Sequence, residues 1–443
     1  MDEFPRDPCD VLAAVAQHAL ERPDAVALEG TFANLTYAAL QAEASELAAL
    51  LAEDAPAAIG LWMDNTPAWV VTDLAAMQAW IPVIPMLSYV SPQQVGHLIA
   101  NSGLELVMTD QPGQLRRLLG AADIGISDED RLDIAGVRVH LFQLEHPGAC
   151  VITESVARVI YSAGDPCLFH TDGVCLSLHA METAAVSMQK VCGYSAQNRH
   201  LCALPLATLL ENIAGVHALL LSGGTCVLPG LAGAGWFGED GLDGAHFLLA
   251  VRQRRISSAV LTPQMLASLI AAVEAGSARP SSLRHLAVIG RSAPLLLQKA
   301  EQLGLPAYAG YGRTETAGVV AINTSQANRT GSVGRPLPHV DIDFSDDGEI
   351  MLRGALFSGY MGQDEPELAH GFWPSGDTGY LDDDGYLYLN DCRASKQIRI
   401  TQKSELTICL NQNVSLALFA SLRRFRFSPA IASVAALAHY PAS

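Results

Sequence analysis

The stretch Tyr308-Ala-Gly-Tyr-Gly-Arg-Thr-Glu-Thr-Ala-Gly318 decides how this chain is read. It sets a tight glycine turn, aromatic rings, hydroxyls and a carboxylate within a few residues. That combination suits a site for a planar base, a phosphate and a metal ion. The same residues also read as an ordinary turn, so the stretch takes its meaning from its surroundings. Upstream, an apolar run at 286–289 leads into Gly290-Arg-Ser-Ala-Pro294. Downstream lie Gly348-Glu-Ile-Met-Leu-Arg-Gly354, Ser358-Gly-Tyr360 and Ser375-Gly-Asp-Thr-Gly-Tyr-Leu-Asp-Asp-Asp-Gly-Tyr-Leu-Tyr-Leu389.

The local patterns around these strings are those of an α/β protein. Helical periodicity over 10–21, 37–52 and 68–78 predicts helices. Short apolar runs at 58–62, 81–85, 106–109, 158–161, 258–261 and 286–289 predict buried strands. Strands alternating with helices imply parallel sheets flanked by helices on both faces. After Gly331 the residues alternate instead, at 340–344, 349–352 and 386–389. With Asp346-Asp-Gly348 and Asp383-Asp-Gly385 as turns, that segment predicts a small antiparallel, barrel-like sheet. The acidic run 382–385 is a hairpin turn rather than a calcium loop, because Tyr380 stands where the first ligand would be needed. The Gly- and Ala-rich segment 232–244 reads as a surface loop.

Composition bounds the function. A chain of 443 residues exceeds what one core usually holds, so more than one domain is expected. Half of the residues are hydrophobic and 16% are charged, enough for a large core. A net charge of −19 argues against nucleic acid as a partner, because phosphate backbones need basic surface. It also means that any bound nucleotide must be held by local donors and a metal against an unfavourable overall field. Lysine is scarce: of 27 basic residues only Lys190, Lys299, Lys396 and Lys403 are lysines. No apolar run is long enough to span a membrane, and Met1-Asp-Glu-Phe-Pro-Arg6 lacks the pattern of a signal peptide. The nine cysteines show no metal-ligand spacing and are expected to be reduced thiols in a cytoplasmic protein.

Taken together and in order, the strings resemble the acyl-adenylate-forming superfamily, most of all its fatty acyl-CoA synthetase branch. That family carries YGxTE, then GEIxxRG, then a glycine–tyrosine pair, then GDxGxxDxDGxL. The likeness begins near Arg22-Pro-Asp24 and Leu35-Thr-Tyr37, runs through Asn65-Thr-Pro-Ala-Trp69 and Leu204-Pro-Leu206, and fades near Tyr440. The resemblance implies an AMP-binding domain over 1–390, with 331–390 its β subdomain, then a hinge and partial C-terminal domain over 391–443. It implies ATP and Mg²⁺ as cofactors, a small carboxylic acid as substrate, and CoA or an acyl carrier protein as acceptor. Residue by residue, Tyr311 and Gly312 would flank adenine, Thr314 would contact phosphate and Glu315 would hold Mg²⁺. Asp377 would grip the ribose hydroxyls, although alone it would read equally as a turn cap. Ser292 and Ala293 would line the adenine side, with Arg291 where a small residue is usual. The acyl pocket would lie near 204–215, where Glu211 and Asn212 interrupt an apolar helix, and near 261–265, which opens a helix running to Glu274.

Two places depart from the family pattern. The phosphate loop corresponds to Ile160-Tyr-Ser-Ala-Gly-Asp-Pro-Cys-Leu-Phe-His-Thr-Asp-Gly173. Aligned from Gly164, the family's lysine position holds His170; aligned back from Gly173, it holds Asp172. Losing one donor that acts on a transition state costs on the order of 3 kcal/mol, and a protonated His170 would restore part of that charge. His179, just beyond, reads as a cap or packing residue. At the hinge, Asp391-Cys-Arg393 places Cys392 where the family has glycine, with Arg393 as the hinge arginine. No lysine follows Lys403, so the family's late catalytic lysine is expected to be absent or supplied by a partner subunit. The ordered strings favour a ligase that forms an acyl-adenylate. The altered loop and short tail favour a catalytically impaired nucleotide- or acyl-binding scaffold.

Overall fold

A computed structural model describes residues 10–145, 152–153, 155–161, 172–238, 241–290, 294–363, 366 and 368–390. Helices and strands alternate over much of its first three hundred residues, apart from such runs as the four successive strands between Ile126 and Leu176. The nine-stranded sheet runs in the order Arg335–Pro336, Ala321–Ile322, Ala307–Tyr311, His285–Ile289, Ser258–Leu261, Arg199–Leu201, Thr225–Leu228, Val26–Gly30 and Asn34–Thr36. Its six central strands are parallel. The eight-stranded sheet runs in the order Gly359–Tyr360, Val174–Leu176, Arg158–Ile160, Val83–Pro85, Ile59–Leu61, Leu106–Thr109, Val137–Leu144 and Ile126–Ile134. The inner strands Ile59–Leu61, Leu106–Thr109, Thr225–Leu228 and Ser258–Leu261 are buried at every residue. Helices cover both faces of a parallel sheet, so its strands are apolar without alternation.

Local chemistry explains where the helices start. Thr36, Ser91, Ser177 and Thr262 each accept a hydrogen bond from a first-turn backbone amide, satisfying donors that no helix can satisfy internally. Pro263 follows Thr262, where a missing amide costs nothing. The helix Leu178–Cys192 is capped by Ser177, and His179 is exposed, so it neither caps nor packs. The helix Pro67–Ala79 is buried on all sides from Pro67 to Met77, which is what a helix apolar around its whole circumference requires.

Val340–Phe344, Glu349–Gly354, Trp373–Leu381 and Leu387–Leu389 form a separate four-stranded antiparallel sheet, as the alternation after Gly331 implies. Gly348 and Gly385 make its turns at positive φ. Neighbouring Arg335–Pro336 and Gly359–Tyr360 join the two large sheets instead.

Three expectations need correction. The segment 232–244 is not simply a surface loop: Ala234 is buried, and Trp236 and Leu242 form a β-bridge. Glu211 and Asn212 do not interrupt an ordinary helix but open the π-helix Glu211–His217. A hairpin, Ile126–Ile134 with Val137–Leu144, extends the eight-stranded sheet where no strand was expected. Its two-residue turn, Ala135-Gly136, has positive φ at both positions.

Candidate functional site

The strand Ala307–Tyr311 carries the first string to the carboxyl-end edge of the parallel strands, where ligands bind in open α/β sheets. Beyond it, Gly312 packs so closely on Gly318 that a β-carbon there would run into the Gly318 carbonyl. That approach closes the turn and presents the short 3₁₀ segment Thr314–Thr316.

The strings distant in sequence meet here. The Tyr311 hydroxyl donates to Asp377 Oδ2 at 2.8 Å. Asp377 is held in turn by Ser375 Oγ, which accepts from the Asp377 amide at 3.2 Å. The Tyr360 hydroxyl donates to Glu315 Oε1 at 3.1 Å. The Phe357 amide donates to the Glu315 carbonyl at 2.7 Å. Glu349 Oε1 accepts from the Gly376 amide at 2.8 Å, so all four strings are joined by hydrogen bonds. Burial, reinforced by the Asp377 charge, pushes the Tyr311 phenol up. Burial and then the Glu315 charge push the Tyr360 phenol up to about 12. Both hydroxyls therefore stay protonated and act as donors to the carboxylates.

Arg313 lies between those carboxylates. Its Nη1 is 3.4 Å from Asp377 Oδ2 and its Nε is 3.7 Å from Glu315 Oε2. Its guanidinium lies 5.7 Å from the centre of the Trp373 ring. Asp172 is nearby, accepting from Gln363 Nε2 at 2.6 Å and acting electrostatically on the Tyr360 hydroxyl.

Tyr311 and Asp377 are thus brought together, and Gly312, Thr314 and Glu315 stand in the turn beside them. Tyr311 is nearly fully buried, and its hydroxyl orients Asp377. Gly290 ends the neighbouring strand at φ +128° beside Pro263. Ser292, Ala293, Gly164, His170 and Arg393 lie outside the described residues. Sequence reasoning passed over Arg313, the unspecified residue of YGxTE, and the tie between Tyr360 and Glu315. The signal for Arg313 was its charge, a lone cation inside a string whose other polar members are neutral or acidic.

The residues fit a magnesium nucleotide. Glu315 offers the hard oxygen ligand that Mg²⁺ prefers, and Asp377 offers a charged acceptor for a sugar diol. Arg313 Nε is buried and makes no hydrogen bond among the described residues, so an anionic oxygen would satisfy it. Glu211 and Asn212 serve a different purpose. Glu211 bonds His200 Nε2 at 2.8 Å and the Leu204 amide at 2.9 Å. Cys202 lies near enough for His200, Cys202 and Glu211 to resemble a metal cluster. His200 Nδ1, however, is bonded to Ser258 at 3.0 Å, so protein partners already account for both histidine nitrogens and both Glu211 oxygens.

Residues 15–361 match the family model of AMP-binding enzymes. The chain belongs to the AMP-binding enzyme family. Among curated members, the 2-succinylbenzoate–CoA ligase of Bacillus pumilus is 30% identical over 235 residues, 49% of this chain and 44% of that protein. Its counterpart in Bacillus licheniformis is 26% identical over 353 residues, 75% of this chain and 69% of that protein. The chain spans about half the length of most such relatives it matches. Solved structures share the fold. The Bacillus subtilis o-succinylbenzoate CoA synthetase in complex with its acyl-adenylate intermediate superimposes with a TM-score of 0.67 at 21% identity, covering 86% of this chain and 78% of that one. The N-terminal domain of FACL13 from Mycobacterium tuberculosis gives 0.69 at 19% identity, covering 86% and 99%.

Proposed function

We propose that this chain activates a carboxylic acid with ATP to form an acyl-adenylate, and passes the acyl group to the thiol of CoA or of a carrier protein. The observation that carries this reading is the convergence of Asp377 and Glu315 on Arg313, each carboxylate oriented by its own tyrosine. In the reaction a substrate carboxylate oxygen attacks the α-phosphorus of ATP and pyrophosphate leaves with the bonding pair. Two anions must be brought together, so positioning and charge neutralisation carry most of the catalysis. Asp377 would hold the ribose and Thr314 would contact the phosphate. Mg²⁺, held by Glu315, would neutralise the phosphate charge. The relatives matched are named as ligases, for 2-succinylbenzoate and, over 22% of this chain, for a long-chain fatty acid in Mycobacterium bovis. They lend nothing to the scaffolding alternative. We assign 1–390 to nucleotide and acyl binding and 391–443, with Arg393 as the hinge arginine, to a hinge and partial C-terminal domain. The four described cysteines are free thiols, which supports a reducing compartment, the cytoplasm.

Calorimetry with Mg-ATP and with a non-hydrolysable acyl-adenylate analogue of a mid-length fatty acid tests the reading. The analogue is expected to bind tightly, and Asp377→Ala is expected to weaken it about 100-fold, the worth of a pair of charge-assisted hydrogen bonds. No heat with either ligand would overturn the proposal.

A further inference from the structure

We infer that Arg313 binds the α-phosphate of the nucleotide beside Thr314, exchanging its two carboxylate partners for phosphate oxygens when the ligand enters. The inference rests on the nucleotide site proposed above and deepens it. If Asp377 takes the ribose and Glu315 the metal, the α-phosphate must lie between them, because it is covalently next to the ribose and shares the metal. That gap is the one Arg313 spans, 3.4 Å from Asp377 and 3.7 Å from Glu315.

Three further observations point the same way. The contact to Glu315 is too long for a hydrogen bond, and Arg313 Nε, although buried, makes none among the described residues. A planar guanidinium whose buried Nε donor is unused is prepared for a bidentate oxyanion, the geometry for which arginine is suited above lysine. The side chain keeps 36% of its surface exposed, so it can turn toward a ligand without unpacking a core. Finally, Asp172, Glu315 and Asp377 make this region acidic in a chain that carries a net charge of −19. A phosphate entering here needs a local cation, and Arg313 is the described cation that reaches both site carboxylates.

Comparing AMP with adenosine isolates the phosphate. Calorimetry on the full chain is expected to show AMP binding more tightly than adenosine. In Arg313→Gln that advantage should fall about 10- to 100-fold, the range for hydrogen bonds to a charged group. Adenosine should bind the variant as well as it binds the parent chain, or better, since Asp377 has one competing partner fewer. Arg313→Lys, which keeps the charge and loses the fork, should retain part of the advantage. A merely structural arginine would behave differently, with adenosine binding and melting temperature falling together. An unchanged ratio of AMP to adenosine affinity in Arg313→Gln overturns the assignment while leaving the site intact. If neither ligand binds the parent chain, the nucleotide site itself is overturned and this assignment with it.

Discussion

Gly312 shows how narrowly single residues are constrained at this site. Its backbone approaches Gly318 so closely that any β-carbon would strike the Gly318 carbonyl and lie 3.1 Å from the Val319 α-carbon. Both contacts are backbone, so neither can swing away. Gly312→Ala is therefore expected to destabilise the protein by about 2–3 kcal/mol, as overpacking does, and to displace Arg313, Thr314 and Glu315 together. Urea denaturation measures the first effect and nucleotide calorimetry the second. An alanine variant with parental stability would show that the turn relaxes freely. Gly318 itself has positive φ but open space around it, so a substitution there is limited by conformation and not by collision.

At the scale of elements, the π-helix Glu211–His217 is fastened by buried polar groups drawn from three parts of the chain. Asp73, on the helix Pro67–Ala79, meets Arg158 at the start of the strand Arg158–Ile160. Asp73 Oδ2 also accepts from Asn212 Nδ2 at 3.1 Å and pairs with His217 Nε2 at 3.0 Å, while Arg158 donates to Asn212 Oδ1. Burial pushes the Asp73 carboxyl up, but Arg158, His217 and Asn212 outweigh it and hold the carboxyl below its usual range. The wide π turn brings Asn212 and His217 to the same carboxylate. Such a network is costly to break by halves. Asp73→Ala leaves the Arg158 guanidinium buried without its counter-charge, and should cost about 3–5 kcal/mol. The double variant Asp73→Leu with Arg158→Met should cost less than Asp73→Ala alone, because no charge is stranded. Urea midpoints of the single and double variants decide this. Additive losses would mean that the charges do not depend on one another.

Over the whole molecule, buried groups make stability depend on pH in opposite directions, the histidines His285 and His339 one way and Asp110 the other. His285 is stacked on Tyr308, packed edge-on against Tyr194 and close to Cys192 and His200. Burial, and then the His200 charge, lower it from 6.5 to about 4. The unfolded chain takes up this proton before the folded one does, so stability is lost as pH falls from about 6.5 toward 4. Asp110 faces Asp64 and Gln111, and burial with the Asp64 charge raises it from 3.8 to about 6. Here the folded protein holds the proton longer, so stability declines as pH rises through the interval from 4 to 6. Asp110→Asn is expected to stabilise the protein more at pH 8 than at pH 4, by up to about 3 kcal/mol for a shift of two units. His285→Gln should flatten part of the acid limb, the rest staying with His339. Denaturant midpoints across that range test both, and a difference between Asp110→Asn and parent that does not change with pH would refute the first.

The sequence alone determined what is local. The helix Asp10–Glu21 and the strands Leu106–Thr109, Ser258–Leu261 and Val340–Phe344 lie where periodicity and turn residues place them, because spacing along the chain sets which side chains share a face. The chemical types at the site were equally legible, since Tyr311, Thr314, Glu315 and Asp377 stand in strings whose order is itself information. Tertiary structure decided the rest. Ile126-Ser-Asp-Glu-Asp-Arg-Leu-Asp-Ile134 carries too much charge to read as a strand, and becomes one by pairing with Val137–Leu144, itself anchored on Leu106–Thr109. Glu211 and Asn212 lie in a π-helix whose polar partners are remote in sequence or brought near by folding. Arg313 acquires a role only when Asp377, 64 positions away, is folded against it. Backbone pairing and the burial of charge depend on neighbours in space, and those neighbours exist only once the chain has folded.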